Sequence, residues 1–252
     1  MAYLIVDIIV SRCNNNPVNR GSAMPATDFA MDTRLRPLTA IRAVQALFAN
    51  GEDTRQIFVI LRALRGRSGV RAFQRFKADP TGQQILRERR ALLATLEDRK
   101  ALAALPAGSM GRAYFEFMES ENLSANGLVQ ASQDWDNDPV PPDASLFRNR
   151  MRDAHDLTHI LTGYGRDPLG ELCLLAFMFR HSKNLGQALI VAMAWSRLPP
   201  AARAAVKQAW RNGKTSQWFM TLDYEALLPR PLDEVRRELR IAAPTAYQAV
   251  VS

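Results

Sequence analysis

The sequence predicts an all-α protein folded as a single helical domain. Three observations carry this. Apolar residues recur three and four apart from Pro37 almost to the C-terminus. Helix-starting and helix-stopping residues, such as Asp79-Pro80, Ser109 and Gly51, stand where those patterns begin and end. No stretch alternates apolar and polar for long enough to need a sheet.

Residues 1–33 read as an N-terminal extension poorly tied to the rest. Ser11 to Arg20 is polar, with three consecutive asparagines. The apolar start lacks the length and basic flank of a secretory signal. Either the natural start is Met24 or Met31, or a short element packs on the body. Pro37 suits a first helical turn, and Ile41, Val44, Leu47 and Phe48 follow at helical spacing. After Gly51, Asp53 or Thr54 can cap a second helix bearing Ile57, Phe58, Ile60, Leu61 and Leu64. Gly66 and Gly69 mark a turn, and Phe73 and Phe76 lie on a short basic helix. Asp79-Pro80 is a cap-and-start pair. Leu86, Leu92, Leu93 and Leu96 carry that helical pattern on to Leu105. Ser109 caps a helix through Tyr114, Phe115, Phe117 and Met118. Residues 130–145, acidic and proline-rich, read as a loop, either a lid or a plain surface loop. Helices are then expected at 146–162, 169–181, 185–197, 200–212 and 231–240. The domain spans 34–241, and 242–252 is a C-terminal tail.

The chain has 252 residues, 47% hydrophobic and 23% charged, enough for a proper core. Two cysteines, Cys13 and Cys173, give no disulfide framework, which fits a reducing compartment. The net charge of +8 favours anionic partners. Arginines crowd the region from Arg34 to Arg112, with no aromatic platform interleaved and no zinc-finger or helix-turn-helix pattern. An anionic membrane surface is therefore expected ahead of nucleic acid. A solvated basic face with no partner explains the charge equally well. The longest apolar runs, 172–179 and 188–195, are too short to span a bilayer.

The most informative stretch is His155-Asp156-Leu157-Thr158-His159, which holds two of the three histidines. On a helix His159 lies about 40° from His155, and Asp156 about 100°. Two imidazoles four apart on one face suit a helical metal site. Glu171 follows a break at Gly165-Arg166-Asp167-Pro168, and a chain that doubles back would return its carboxylate to the same point. Imidazoles with carboxylates suit zinc and other divalent first-row ions. Arg152 lies about 60° and Arg148 about 20° from His155 on the same wheel, so a guanidinium could hold an anionic group at the ion. Pairing of these arginines with Asp153, Asp156 or the acidic loop is the alternative. Leu172, Leu175, Ala176, Phe179, Leu189, Ile190 and Met193 could line a groove for a hydrocarbon, or be simple core.

His-Asp-x-x-His, a glycine four residues on and Gly170-Glu171 together resemble the coenzyme Q biosynthesis protein 4 family. So do the segment from Leu105 to Tyr114, Arg150-Met151-Arg152-Asp153, Asp223-Tyr224-Glu225 and the run from Pro231 to Arg236. The likeness covers roughly Leu35 to Ile241. It implies metal ligation by His155, Asp156, His159 and Glu171, which would also be the catalytic group. It implies a role in ubiquinone biosynthesis: oxidative decarboxylation with hydroxylation at ring carbon 1 of a polyprenylated benzoate. A redox role would favour Fe or Co over zinc. The alternative is a non-catalytic, prenyl-lipid-binding scaffold that organises other ubiquinone biosynthesis enzymes at the membrane. Either role implies a peripheral protein on the cytoplasmic face of a bacterial membrane or on the mitochondrial inner membrane, and a homodimer is expected. The chain departs from the family pattern at Gly165-Arg166-Asp167-Pro168, at Leu175-Ala176-Phe177-Met178 and at Lys183-Asn184-Leu185-Gly186, all around the expected groove.

Overall fold

Helix after helix follows the apolar periodicity, and among the described residues there is no strand. The computed structural model describes residues 33–49, 55–125 and 140–249. The N-terminal extension up to residue 32, the cap at Asp53 or Thr54, Cys13 and loop residues 130–139 lie outside them.

Helix α1 (Pro37–Ala49) opens on its proline and pairs with α2 (Arg55–Ala63). Ala40 and Ala43 are buried, while Leu38 and Ile41 are exposed. The buried stripe is thus rotated from the one expected through Ile41. Between α3 (Ser68–Ala78) and α4 (Pro80–Glu88), Asp79 accepts a hydrogen bond from the Thr81 N–H, as the Asp-Pro pair predicts.

The continuous helix expected from there to Leu105 is instead three: α4, α5 (Leu92–Glu97) and α6 (Arg99–Ala104). Arg89 ends α4 in the left-handed conformation, φ 52°. Ion pairs hold the corner, Arg89 to Asp143 at 2.6 Å and Arg90 to Asp223 at 2.8 Å. Asp98 then caps α6 through the Ala101 N–H.

Ser109 caps α7 (Met110–Ser120) as expected, accepting from the Arg112 N–H. Helix α8 (Pro142–Asp153) begins inside the stretch read as loop. The single helix expected over 146–162 is two, because α9 (His155–Thr162) starts anew after a turn at Ala154. Then come α10 (Pro168–Ser182), α11 (Leu185–Trp195) and α12 (Pro200–Thr215). A 3-10 turn (Phe219–Thr221), α13 (Tyr224–Leu227) and α14 (Leu232–Glu238) complete the order.

The core is densest where α10 meets α12. The buried face of α12 is Ala202, Ala205, Val206, Ala209 and Gly213, small enough for close approach. That approach takes part of the expected groove lining into the core: Leu172, Ala176 and Ile190 are core residues, whereas Leu175, Leu189 and Met193 stay partly exposed and Phe179 stacks on Trp210 with ring centroids 5.0 Å apart. Apolar side chains gain more from mutual burial than from lining an open slot.

The third histidine, His181, also belongs to this core, 5.0 Å from both the Phe177 and Phe219 rings. Burial, then the charges of Lys183, Arg75 and Arg180, pull its pKa from 6.5 down to about 4. The unfolded chain therefore binds the extra proton first, and stability falls as pH drops from 6.5 towards 4. Between neutral pH and pH 5 this residue should remove about 2 kcal/mol. Thermal unfolding of wild type and His181→Leu checks it: the variant's midpoint should change less over that range.

Candidate metal centre

The centre is built at one helix–loop–helix junction. Gly163 closes α9 in the left-handed conformation, φ 73°, and its N–H donates to the His159 carbonyl at 2.8 Å. Arg236 caps the same helix end, donating to the carbonyls of Leu161 at 3.1 Å and Ile160 at 2.8 Å. Asp167 opens α10 by accepting from the N–H groups of Leu169 and Gly170 at 3.1 and 3.2 Å. Its other oxygen accepts from the Tyr247 hydroxyl, which accepts in turn from the Gly165 N–H at 3.0 Å. The chain thus doubles back within a few residues and sets the first turn of α10 beside α9.

That reversal requires glycine at position 170. A Cβ there would lie 2.1 Å from the Gly165 carbonyl oxygen, a backbone atom that cannot step aside cheaply. Gly170→Ala should cost about 3 kcal/mol and turn Glu171 away from the histidines. Urea unfolding together with metal titration measures both; a variant equal to wild type in both would refute the account.

His155, Asp156 and His159 each bring one possible ligand atom within 4.8 Å of one another. Glu171 reaches the imidazoles from α10, its Oε1 3.4 Å from His159 Nε2 and its Oε2 3.9 Å from His155 Nε2. His159 is fully buried, whereas the His155 side chain is 32% exposed, so the group opens to solvent on one side. The His159 Nδ1–H fits as donor to the Tyr164 carbonyl at 2.9 Å, which leaves Nε2 with its lone pair. That Nε2 is buried without a hydrogen-bond partner. Buried polar atoms rarely stay so, and a cation accepted jointly by Nε2 and the carboxylates would satisfy it. The residues present therefore fit a divalent ion.

Charge in the group is balanced tightly. Burial pushes the Glu171 and Asp156 carboxyls up, but the two histidines and Arg166 outweigh it and hold both below their ordinary values. Burial pushes His155 down, yet Asp156 and Glu171 outweigh it and raise the imidazole.

The two arginines read from the helical wheel fare differently. Arg152 grips Asp153 at 2.8 Å. Arg148 lies half-buried in the middle of α8, beyond the turn at Ala154 that changes its bearing on His155. Arg166 was missed by the sequence reading. It is buried, touches Glu121 at 3.5 Å, and its charge acts on His155, Asp156 and Glu171 together. Its one available signal was a cation in the loop between the ligand-bearing helices.

A cavity of about 90 Å³ lies between α5, α6 and α7, lined by Leu96, Leu102, Tyr114, Phe115 and Met118 with Glu97 and Arg99 among them. Burial, then the charges of Asp156 and Asp153, raise the Tyr114 phenol, which stays protonated.

Fold and site together define a class: an all-α protein with a candidate divalent-metal centre of two imidazoles and two carboxylates at a helix–loop–helix junction. The family model described as coenzyme Q (ubiquinone) biosynthesis protein Coq4 matches residues 37–245, and the chain belongs to that family. The mitochondrial ubiquinone biosynthesis protein coq4 of Talaromyces stipitatus is 33% identical over 172 residues, covering 66% of this chain and 58% of the relative. That of Aspergillus clavatus is 31% identical with the same coverages, so the chain spans under two thirds of these fungal proteins. The Danio rerio COQ4 homolog, also named as mitochondrial, is 29% identical over 180 residues, covering 69% of this chain and 65% of the relative. A crystal structure of a ubiquinone biosynthesis protein from Nostoc punctiforme PCC 73102 shares the fold. Its TM-score is 0.59 at 20% identity, covering 83% of this chain and all of that one. No described helix is long and apolar enough to cross a membrane.

Proposed function

We propose that this chain acts in ubiquinone biosynthesis as a metal-dependent oxidative decarboxylase. Its substrate would be a polyprenylated benzoate, whose carbon 1 loses its carboxylate as CO₂ and gains a hydroxyl, with an external oxidant supplying the oxygen. Family membership supports the pathway. The observation that carries the metal is the orphaned, buried Nε2 of His159 facing Glu171. A divalent ion held by His155, Asp156, His159 and Glu171 would supply Lewis acidity and, as Fe or Co rather than zinc, redox chemistry.

The chain's own residues bind and orient. Arg166 offers buried positive charge for the ring carboxylate, with Arg148 and Arg152 as further candidates on α8. Tyr114 can donate a hydrogen bond from the cavity wall. The cavity would take only part of a prenylated substrate, and a long tail must run on beyond it. The protein is placed peripherally on the membrane that holds such a lipid, the mitochondrial inner membrane or its bacterial counterpart.

In a strain lacking the carbon 1 step, wild type should restore ubiquinone and His159→Ala should leave the carboxylated prenyl intermediate. Accumulation of that intermediate despite folded, metal-loaded wild type removes the enzyme reading. The alternative is a scaffold for other enzymes of the pathway. Under it His159→Ala would keep ubiquinone output so long as the fold survived.

A further inference from the structure

We infer that the outer face of α12, with the aromatic side chains beside it, is a docking surface for an anionic phospholipid bilayer. This does not depend on the decarboxylase reading. Between Glu171 and Asp223 the sequence has no acidic residue and seven Lys or Arg. Helical geometry gathers them, since Arg203, Lys207, Trp210 and Lys214 fall within an arc of about 60° on α12. Lys207, Arg211 and Lys214 are exposed, opposite the buried alanine face. None of these three takes part in an ion pair among the described residues.

Aromatic rings stand among these cations. Lys207 Nζ lies 5.7 Å from the Trp195 ring centroid, and the Arg180 guanidinium lies 5.0 Å from that of Trp210. Trp210 remains 37% exposed. Tryptophan beside lysine and arginine is the pairing that sits at headgroup level in a bilayer. Neighbouring α11 supplies apolar surface: it has no charged residue, and only Gly186 and Ile190 are buried. The face also differs from the arginine-rich region near the N-terminus. There Arg89, Arg90, Arg99 and Arg112 are taken up by Asp143, Asp223, Glu119 and Glu116.

Other occupants fit less well. A second copy docked on the same face would bring like charges together. A nucleic acid strand needs open rings for its bases, and Trp210 is already stacked on Phe179 under Arg180.

Flotation of the full chain with vesicles tests the inference, using phosphatidylcholine alone and an equimolar mixture with phosphatidylglycerol. Wild type should partition to the mixed vesicles and not to the neutral ones. The triple variant Lys207→Glu, Arg211→Glu, Lys214→Glu should bind roughly a hundredfold more weakly. An equal reversal elsewhere, Lys77→Glu, Arg87→Glu, Lys100→Glu, should bind much as wild type does. Thermal unfolding of both triple variants near the wild-type midpoint shows that the fold is kept. Brominated lipid should quench wild-type fluorescence more than that of Trp210→Phe.

Equal binding to both vesicle types overturns the inference. So does retention by the α12 variant, or an equal loss in the control, which would indicate net charge alone. Tighter binding to a single-stranded oligonucleotide than to vesicles, or a wild-type dimer that the α12 variant dissociates, would reassign the face and overturn it too.

Discussion

Arg150→Ala is expected to lose about 3–5 kcal/mol of stability. The Arg150 side chain is wholly buried and grips Glu225 through both terminal nitrogens, one of them at 2.6 Å. The second nitrogen also donates to the Leu222 carbonyl at 3.3 Å, and the guanidinium lies 5.8 Å from the Tyr224 ring centroid. The pair ties α8 to α13, elements 75 residues apart in sequence. Truncating the arginine strands a mostly buried carboxylate and opens a cavity. Removing both charges should cost less than removing one, because the penalty lies largely in the abandoned partner. Urea unfolding of Arg150→Ala, Glu225→Gln and Arg150→Met/Glu225→Leu checks this. A single-variant loss under about 1 kcal/mol would mean the pair behaves as a surface bridge.

The second large effect concerns metal. His159→Ala should weaken binding of a divalent ion by more than a hundredfold, since merely losing a residue that orients a ligand costs 10–100-fold. His159 is the ligand most fully prepared: its ring is buried, its Nδ1 is fixed by the Tyr164 carbonyl, and Phe117 stacks on it at 6.1 Å. Titration with Co²⁺ followed by visible absorption gives the affinity directly. The same ion should raise the unfolding midpoint of wild type and leave that of the variant unmoved. Equal metal content in wild type, His159→Ala and Glu171→Ala would dissolve the centre. The buried Nε2 would then lack an explanation.

Much of this was legible in the chain. The start of α1, the caps at Asp79 and Ser109, and helices α10, α11 and α12 follow from local propensity, and each is where those residues direct it. The breaks were not. Arg89 stops α4 in a conformation normally left to glycine, helped by Asp143 and by the neighbouring grip of Arg90 on Asp223. Such partners lie too far along the chain for any window to register. The turn at Ala154 has no local stop signal either, and it spoils wheel arithmetic carried from Arg148 to His155.

By itself the sequence determined the helical class, the positions of most helices and the grouping of His155, Asp156 and His159 on one helix. Those depend on properties of neighbouring residues: period, capping and spacing within one or two turns. Only the tertiary structure decided that Glu171 returns to the histidines, that Arg152 is taken up by Asp153 while the charge of Arg166 acts on the ligand group, and that Leu172, Ala176 and Ile190 are core rather than groove lining. Each of these is set by how closely backbones approach. A bare Gly170 lets the loop fold onto α10, and an alanine face lets α12 close over it.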